Sequence, residues 1–356
     1  MIDRSAPRKL AADLRAQFEA QGAVPVEPPF LLPADKLLDL YGEDIRGRAY
    51  VTSDPARGEM FMRPDFTVPV VEMHMAQGAE PARYTYAGEV FRRQEENPDR
   101  AIEYLQVGYE VFDRADPVGA EAEVFARIAE ALKPMGLKAV TGDIGLLRAA
   151  IEGLETTDRR KAALLRHIWH PRRFRALLDR FSGRAPVPAA RAALLNAADL
   201  MANAGPMIGL RSAAEIEERI TALKEDAATA PISEREIELI EALLDVRETV
   251  PFALEQLRDL AVDLPAINDA VERMAARSAA LEKLGVSLES LVFEATYGRT
   301  SMEYYDGFVF GLIAEDRPDL PPVATGGRYD ALTSKLGQGR EIPAVGGVIR
   351  PGLVLD

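Results

Sequence analysis

The segment 104–112 alternates residues that can bind a ligand with residues that can form a core. If this segment is a strand, its two-residue period places four residues on one face: Tyr104, Gln106, Gly108 and Glu110. A carboxylate and an amide beside a glycine suit a small zwitterion, because Glu110 can hold an ammonium group and Gln106 can both donate and accept hydrogen bonds. The same alternation is also normal in a half-exposed strand whose polar face meets water.

Two other parts of the chain add hydroxyl and aromatic groups to this set. Between residues 61 and 67, Asp65 supplies an acid and Thr67 a hydroxyl just after a predicted turn, where loop residues often bind ligands. Two later segments, predicted to be turns, carry tyrosines that can stack on a flat polar ring and hydrogen-bond it: Tyr304, Tyr305 and Tyr329. Packing in a hydrophobic core is the alternative role of these rings.

Several other chemistries find little support in the sequence. The chain has no cysteine, which excludes disulfides, thiolate zinc sites and a cysteine nucleophile. His167 and His170 are three residues apart without a carboxylate at metal-ligand spacing, and His74 lies in a run rich in Met and Val that indicates packing. A P-loop and a nucleophile elbow are also missing from the sequence. We therefore predict no metal and no cofactor.

Composition and charge narrow the class of protein and its partners. The 356 residues are 47% hydrophobic and 28% charged, as in a soluble globular chain of one or two domains. An apolar run of about 18 residues and an apolar signal core are both missing, so we expect a cytoplasmic protein that does not contact a membrane. The net charge of -14 disfavours tRNA. A basic stretch over 159–180 is either a solvated helical face or a docking surface for an acidic partner.

The elements that position the candidate residues are predicted from periodicity and turn residues. Apolar residues at helical spacing predict a helix over 10–18 that leads into an extended segment. Aromatic and β-branched residues predict two antiparallel strands, 84–91 and 104–112, joined by a charged loop. A helix over 117–133 and a short strand over 137–141 are expected to follow.

The second half of the chain begins with a change of composition. Residues 143–285 are rich in Ala, Leu, Arg and Glu and contain capping boxes at 212–215 and 233–236, which predict a helical insertion. Strand character returns at three segments, 291–297, 304–313 and 344–349, with a glycine-rich turn at Gly326 and Gly327. The predicted fold is α+β, with a mostly antiparallel sheet flanked by helices and assembled from the two ends of the chain, 1–142 and 286–356.

The order and spacing of these segments resemble the catalytic core of class II aminoacyl-tRNA synthetases, in particular histidyl-tRNA synthetase. Residues 22–29 look like motif 1, a resemblance that implies self-association as a dimer. Residues 84–110 look like motif 2, in which Arg92 and Arg100 match arginines that contact phosphate or nucleotide and Tyr104 matches the aromatic residue that stacks on adenine.

The resemblance also implies a histidine-binding site. Four polar residues match those that hold the α-amino group in the synthetase: Asp65, Thr67, Gln106 and Glu110. The segments 303–305 and 326–330 resemble the two histidine-specific signatures, whose tyrosines shape the imidazole pocket. Tyr304, Tyr305 and Tyr329 are the matching residues of this chain.

The chain departs from the synthetase pattern where adenylation needs positive charge. Where the synthetase pattern has arginines, this chain has Thr300, Leu353 and Ile102. Arg299 lies one residue away from the first of these positions and is expected to point elsewhere. Arg350 replaces a glycine of the pattern. Because such cations stabilise a departing pyrophosphate, their loss is expected to abolish adenylation, and we predict no catalytic residue.

The chain also stops shortly after motif 3, so the resemblance implies no anticodon-binding domain. A histidine site without these arginines resembles the synthetase-like regulatory subunits of ATP phosphoribosyltransferase. The implied partner is a short catalytic subunit in a hetero-oligomer that carries out the first step of histidine biosynthesis, with histidine as the inhibiting effector. Two alternatives stay open: a ligase that adenylates histidine or a related acid, and a structural scaffold with a vestigial pocket.

Overall fold

The computed structural model describes residues 5–35, 38, 47, 49–93, 100–197, 201, 205–206, 208–299 and 304–354. Their strands, in chain order, are β1 Val24–Pro25, β2 Leu31–Pro33, β3 Val51–Asp54, β4 Gly58–Met62, β5 Ala82–Phe91, β6 Glu103–Phe112, β7 Lys138–Asp143, β8 Arg247–Thr249, β9 Val292–Glu294, β10 Phe308–Ile313, β11 Ala324–Arg328 and β12 Ala344–Ile349. The α-helices of the described residues are α1 Ser5–Ala20, α2 Thr67–Gln77, α3 Pro117–Ala131, α4 Ile144–Glu152, α5 Asp158–Arg166, α6 Pro171–Ser182, α7 Ala189–Leu195, α8 Ala213–Ala228, α9 Glu234–Asp245, α10 Val250–Asp263, α11 Asn268–Lys283 and α12 Asp330–Leu336.

The main sheet of the described residues has nine strands in the order β1-β5-β6-β12-β11-β10-β7-β9-β8. The β1–β5 and β7–β9 pairs are parallel, and the other neighbours are antiparallel. Strands from the first and the last part of the chain are thus neighbours in one mostly antiparallel sheet. The predicted α+β fold is confirmed. Strands β2, β4 and β3 form a separate three-stranded sheet.

The two glycines predicted to form a turn lie instead in the middle of the sheet. Gly326 and Gly327 belong to β11 and pair with β10 and β12. Each glycine leaves room for an aromatic ring. A Cβ added to Gly326 would lie 2.3 Å from Cζ of Phe310, and a Cβ added to Gly327 would lie 2.7 Å from Cδ1 of Tyr305. The turn prediction was wrong because this glycine pair serves close packing and not chain reversal. The predicted strand over 304–313 also begins later, at Phe308.

One face of the main sheet is covered by helices and forms a hydrophobic core. Helix α1 packs on β5 and β6, where the rings of Phe18 and Tyr109 are 5.1 Å apart. Helix α3 begins at Pro117 after its N-cap and places Phe125 5.3 Å from the ring of Phe310. Burial of each such side chain contributes on the order of 2 kcal/mol. This packing fixes the sheet and leaves its opposite face to carry the polar residues.

The helices between residues 144 and 283 connect to the sheet through buried ion pairs and a short strand. Arg277 of α11 donates to Glu121 of α3 at 2.7 Å and to Asp143 of β7 at 2.9 Å. Both predicted capping boxes are present, at Ser212 and Ser233. Strand β8 lies in the interval predicted to be a helical insertion and pairs with β9, so this interval also supplies the last strand of the sheet. Among the described helices, none has the length and apolarity that crossing a bilayer requires.

Candidate ligand-binding site

A buried carboxylate surrounded by hydroxyl groups lies on the sheet face opposite the helical layer. Glu110 of β6 is 1% exposed. Its Oε1 accepts hydrogen bonds from Tyr86 at 2.8 Å and from Thr67 at 3.2 Å, and its Oε2 accepts one from Tyr329 at 2.5 Å. Burial raises the pKa of Glu110 to about 7, although these three hydrogen bonds lower it and nearby Asp65 raises it further. The carboxyl therefore titrates close to neutral pH.

Glycines on the neighbouring strands provide the space that this cluster occupies. Gly346 of β12 lies opposite Glu110, and Gly108 of β6 lies opposite Tyr86. An added Cβ would stand 1.4 Å from Oε2 of Glu110 at Gly346 and 2.0 Å from Cζ of Tyr86 at Gly108. The absence of side chains at these two positions allows the ring and the carboxylate to lie flat over the sheet.

The second predicted acid, Asp65, is also buried and lies just before helix α2. Its Oδ1 accepts a hydrogen bond from the backbone N–H of Val68 at 3.3 Å. Burial raises the pKa of Asp65, while the positive charge of Arg92 and the backbone hydrogen bonds lower it. Arg92 is held beside it because its Nε donates to the carbonyl of Pro64 at 2.7 Å. The two acids Glu110 and Asp65 and the guanidinium of Arg92 are thus close enough to influence one another.

Gln106 has a side chain that is fully buried and chemically unsatisfied. Its exposed fraction is 0%, and neither Nε2 nor Oε1 has a hydrogen-bond partner among the described residues. A buried polar group without a partner costs about 1–3 kcal/mol, so native proteins seldom keep one without a reason. The solvated-face interpretation of this strand is therefore wrong, and the amide is available to a ligand that can both donate and accept.

The three predicted tyrosines come together beside this carboxylate. Tyr305 and Tyr329 are buried, while Tyr304 is half-buried. The ring of Tyr304 lies 4.9 Å from that of Tyr305 and 6.0 Å from that of Tyr329, both edge to face. Burial raises the pKa of Tyr305 and Tyr329, and the negative charge of Glu110 adds to both shifts. The rings form an aromatic wall whose hydroxyls stay protonated.

Arginines from the synthetase-like pattern lie in different environments. Arg100 is exposed, with no hydrogen bond to a described residue. Arg299 turns toward α6 and the segment before it, where its Nε donates to the carbonyl of Ile168 at 2.9 Å and its guanidinium lies 4.9 Å from the ring of Phe174. Burial lowers the pKa of Arg299 to about 10. Arg299 thus points away from Glu110, as expected, whereas Thr300 and Glu303 fall outside the described residues.

Two residues near the site were not predicted to belong to it: Tyr86 was not singled out from the sequence, and Arg350 was noted there for replacing a glycine. Tyr86 donates to Glu110 and could have been found from its position opposite Gly108 in the strand register. Arg350 donates to the carbonyl of Pro322 at 2.7 Å and to the hydroxyl of Thr325 at 3.2 Å. Burial lowers the pKa of Arg350, which also interacts with Tyr104, Arg92 and Tyr305. Its guanidinium therefore lies on the same side of the sheet.

Metal binding has no candidate in the part of the chain that the structure describes, where no group of three or more His, Asp or Glu residues could hold an ion. His74 packs against Phe112, with ring centroids 4.0 Å apart, and its Nδ1 hydrogen-bonds the hydroxyl of Tyr84 at 3.1 Å. The packing role predicted for His74 agrees with these contacts.

The sheet order and the helices that flank it define a class II aminoacyl-tRNA synthetase-like core. The family model described as histidyl-tRNA synthetase matches residues 3–225 and 210–351. ATP phosphoribosyltransferase regulatory subunits of Brucella anthropi and Brucella ovis are each 32% identical over 357 residues, covering 94% of this chain and 93% of theirs. The chain belongs to the histidyl-tRNA synthetase-like family of ATP phosphoribosyltransferase regulatory subunits.

Solved structures agree with this assignment at the level of the fold. The crystal structure of an ATP phosphoribosyltransferase regulatory subunit/histidyl-tRNA synthetase from Bacillus halodurans is 21% identical, with a TM-score of 0.69 over 100% of this chain and 81% of that chain. A histidyl-tRNA synthetase from Nostoc is 17% identical, with a TM-score of 0.66 over 98% of this chain and 70% of that one.

Proposed function

We propose that this chain is the regulatory subunit of a hetero-oligomeric ATP phosphoribosyltransferase and that histidine inhibits the complex by binding around Glu110. The transferase chemistry would belong to a short catalytic subunit, and this chain would catalyse no reaction itself. The observation that carries the proposal is a buried pair of acids, Glu110 and Asp65, beside an unsatisfied amide at Gln106. Such a combination suits a ligand that brings both an ammonium group and further polar atoms.

Histidine complements this site group by group. Its ammonium would be held by Glu110 and Asp65, while Thr67 would orient Glu110 through the hydrogen bond that already joins them. The amide of Gln106 would gain the partners that it lacks. The ring of histidine would lie among aromatic side chains: Tyr304, Tyr305 and Tyr329. Inhibition then requires histidine to bind two states of the complex with different affinity.

Several features favour a regulator over an adenylating ligase. Arg299 is engaged with the insertion, and Leu353 packs against the hydrophobic core where the synthetase pattern has an arginine. Ile102 is an exposed apolar residue at a third such position. Losing a single cationic clamp typically costs on the order of a hundredfold in rate, so several losses argue strongly against adenylation. Arg92 and Arg100 are retained as contacts for phosphate or nucleotide in this proposal.

The assembly and organisation of the chain form the next part of the proposal. Apolar side chains are exposed on the first strands and their connections, which supports self-association through the motif 1 region: Val24, Phe30, Leu31 and Val51. Residues 1–142 and 286–356 would form the core and residues 143–285 the insertion. The net charge of -14 argues against a tRNA ligand. A cytoplasmic location belongs to the same proposal.

The decisive experiment is to mix the purified chain with a purified short ATP phosphoribosyltransferase and assay the transferase with and without histidine. We expect activity to rise on mixing and to fall when histidine is added. Glu110→Ala should keep the activation and lose most of the inhibition. The matched control is Glu289→Ala, which removes an exposed acid far from position 110 in the sequence and should behave as the unmodified protein.

Each alternative predicts a different result. Pyrophosphate exchange that depends on both histidine and ATP would identify a ligase. A scaffold would give no heat when histidine is titrated into the chain by calorimetry. Histidine inhibition that is unchanged in Glu110→Ala would remove Glu110 from the effector site.

A further inference from the structure

A basic cavity lies among the helices of the predicted insertion. It has a volume of about 330 Å³ and is lined by residues from α5, α6, α7 and α8 and by Thr157 and Thr229. Small-molecule sites usually have volumes of about 300–1,000 Å³, so this cavity is of the right size for a small ligand. None of its lining residues belongs to the group around Glu110.

The charges that line the cavity are strongly unbalanced. Five arginines face two acids, which leaves a net charge of +3: Arg159, Arg160, Arg180, Arg191 and Arg219 against Glu225 and Asp226. Asp226 is already paired, since Nε of Arg160 lies 2.6 Å from one oxygen and Nη2 of Arg191 lies 2.6 Å from the other. The carboxylate of Asp226 is therefore paired with these two arginines, and Glu225 is the other acid of the lining.

Arg160 is a structural member of this arrangement. It is 6% exposed, and its guanidinium also donates to the backbone carbonyls of Ala230 and Asp226 at 2.8 Å each. These bonds tie α5 to the end of α8 and to the following loop. The frame of the cavity is thus held by buried hydrogen bonds and does not depend on a ligand.

The remaining three arginines have donors to spare. Arg159, Arg180 and Arg219 are exposed residues of the lining, and no hydrogen bond joins their guanidinium groups to another described residue. Arg180 lies over the ring of Phe181 at 4.6 Å, which orients it at the cavity wall. Partial burial and the positive charge of Arg191 lower the pKa of Arg180, so an anion placed here would relieve repulsion between the two.

We propose that this cavity binds a small phosphorylated molecule, with its phosphate groups on Arg159, Arg180 and Arg219. Guanidinium groups suit phosphate oxygens because they donate in a planar fork. The wall also contains apolar side chains that would accept a non-phosphate part of the ligand: Ala163, Phe181, Ala222 and Leu223. The cavity is concave, and its frame is held by its own hydrogen bonds. This favours a small ligand over an acidic protein or a nucleic acid, which would engage a broad surface.

The test uses the full chain and calorimetry with inorganic pyrophosphate as the probe. We expect one binding site per chain and a loss of affinity on the order of tenfold or more in the double variant Arg180→Gln/Arg219→Gln, because each removed guanidinium takes charged hydrogen bonds with it. The matched control, Arg172→Gln/Arg173→Gln, removes two exposed arginines of the same basic stretch that do not line the cavity and should bind within about twofold of the unmodified chain. Circular dichroism should give the same melting temperature for both variants, since Arg180 and Arg219 make no hydrogen bonds to lose.

Further titrations separate this site from general attraction between charges. Sulfate at the same ionic strength should compete poorly with pyrophosphate, and adenosine monophosphate should compete if the apolar wall contributes. No heat with pyrophosphate, or an equal loss of affinity in the two double variants, would overturn the proposal. Binding of polyglutamate or of a tRNA transcript that pyrophosphate does not displace would also overturn it and assign the surface to a macromolecule. Because histidine inhibition does not enter any of these measurements, failure here leaves the proposed function of the Glu110 site untouched.

Discussion

Gly346 lies directly opposite Glu110 across strands β12 and β6, and a Cβ atom at position 346 would stand 1.4 Å from Oε2 of the carboxylate. That oxygen is the one that accepts the hydrogen bond from Tyr329. The glycine therefore sets the position of the acid on which the site is built.

Gly346→Ala should displace the Glu110 side chain and abolish histidine binding, at a cost in stability of about 1–3 kcal/mol from overpacking. Calorimetry with histidine and thermal unfolding measure the two effects. The matched control is Gly352→Ala, because an added Cβ at that position meets no atom within 4 Å. Retained histidine binding in Gly346→Ala would show that Glu110 does not contact the ligand.

Histidine affinity should depend on pH through Glu110. Burial raises the pKa of this carboxyl to about 7, so below that value it becomes protonated and loses its attraction for an ammonium group. We expect the dissociation constant to rise about tenfold as pH falls from about 8 to about 6. In Glu110→Gln the binding should be weaker at every pH, and the pH dependence that remains should be that of the imidazole of the ligand. Equal affinity of the unmodified chain at both pH values would contradict this assignment.

Replacing Gln106 should separate stability from binding. Gln106→Leu keeps a similar volume but removes a buried amide that has no partner, so the free energy of unfolding without ligand should rise by about 1–3 kcal/mol. Histidine binding should be lost, because the amide is expected to contact the ligand. Denaturant unfolding and calorimetry test both effects, and Gln77→Leu on the exposed end of α2 is the control, with a change within about 0.5 kcal/mol. A destabilised Gln106→Leu chain would mean that the amide is satisfied without ligand.

The ion pairs between α11 and the core should be essential for folding. Arg277→Met would leave Asp143 buried without its cation and Glu121 with Arg328 as its remaining partner. Removing one partner of a buried pair costs about 3–5 kcal/mol. The exposed Arg273 of the same helix provides the control, since Arg273→Met should change the unfolding free energy by less than about 0.5 kcal/mol. Equal denaturation midpoints for the two variants would contradict a structural role for Arg277.

The local pattern of the sequence was sufficient to predict the strands that carry the site. The two-residue period over 104–112 correctly put Gln106 and Glu110 on one face, because side-chain alternation is a property of any strand. It did not distinguish a solvated face from a buried one, since burial depends on what packs above the strand. The same limit applies to Gly326 and Gly327, which are a turn signal in sequence and a strand beneath aromatic rings in the folded chain.

The sequence by itself determined the α+β class and the amphipathic strands, because periodicity is a local property. Its resemblance to class II synthetases indicated most of the residues that surround Glu110. Only the tertiary structure decided that Tyr329 meets Glu110 across 219 positions, that Tyr86 joins them, and that Arg299 donates to the carbonyl of Ile168. The physical reason is strand pairing. The register between β6 and β12 places Gly346 opposite Glu110, although the two residues are far apart in the sequence, and no local pattern encodes such a pairing.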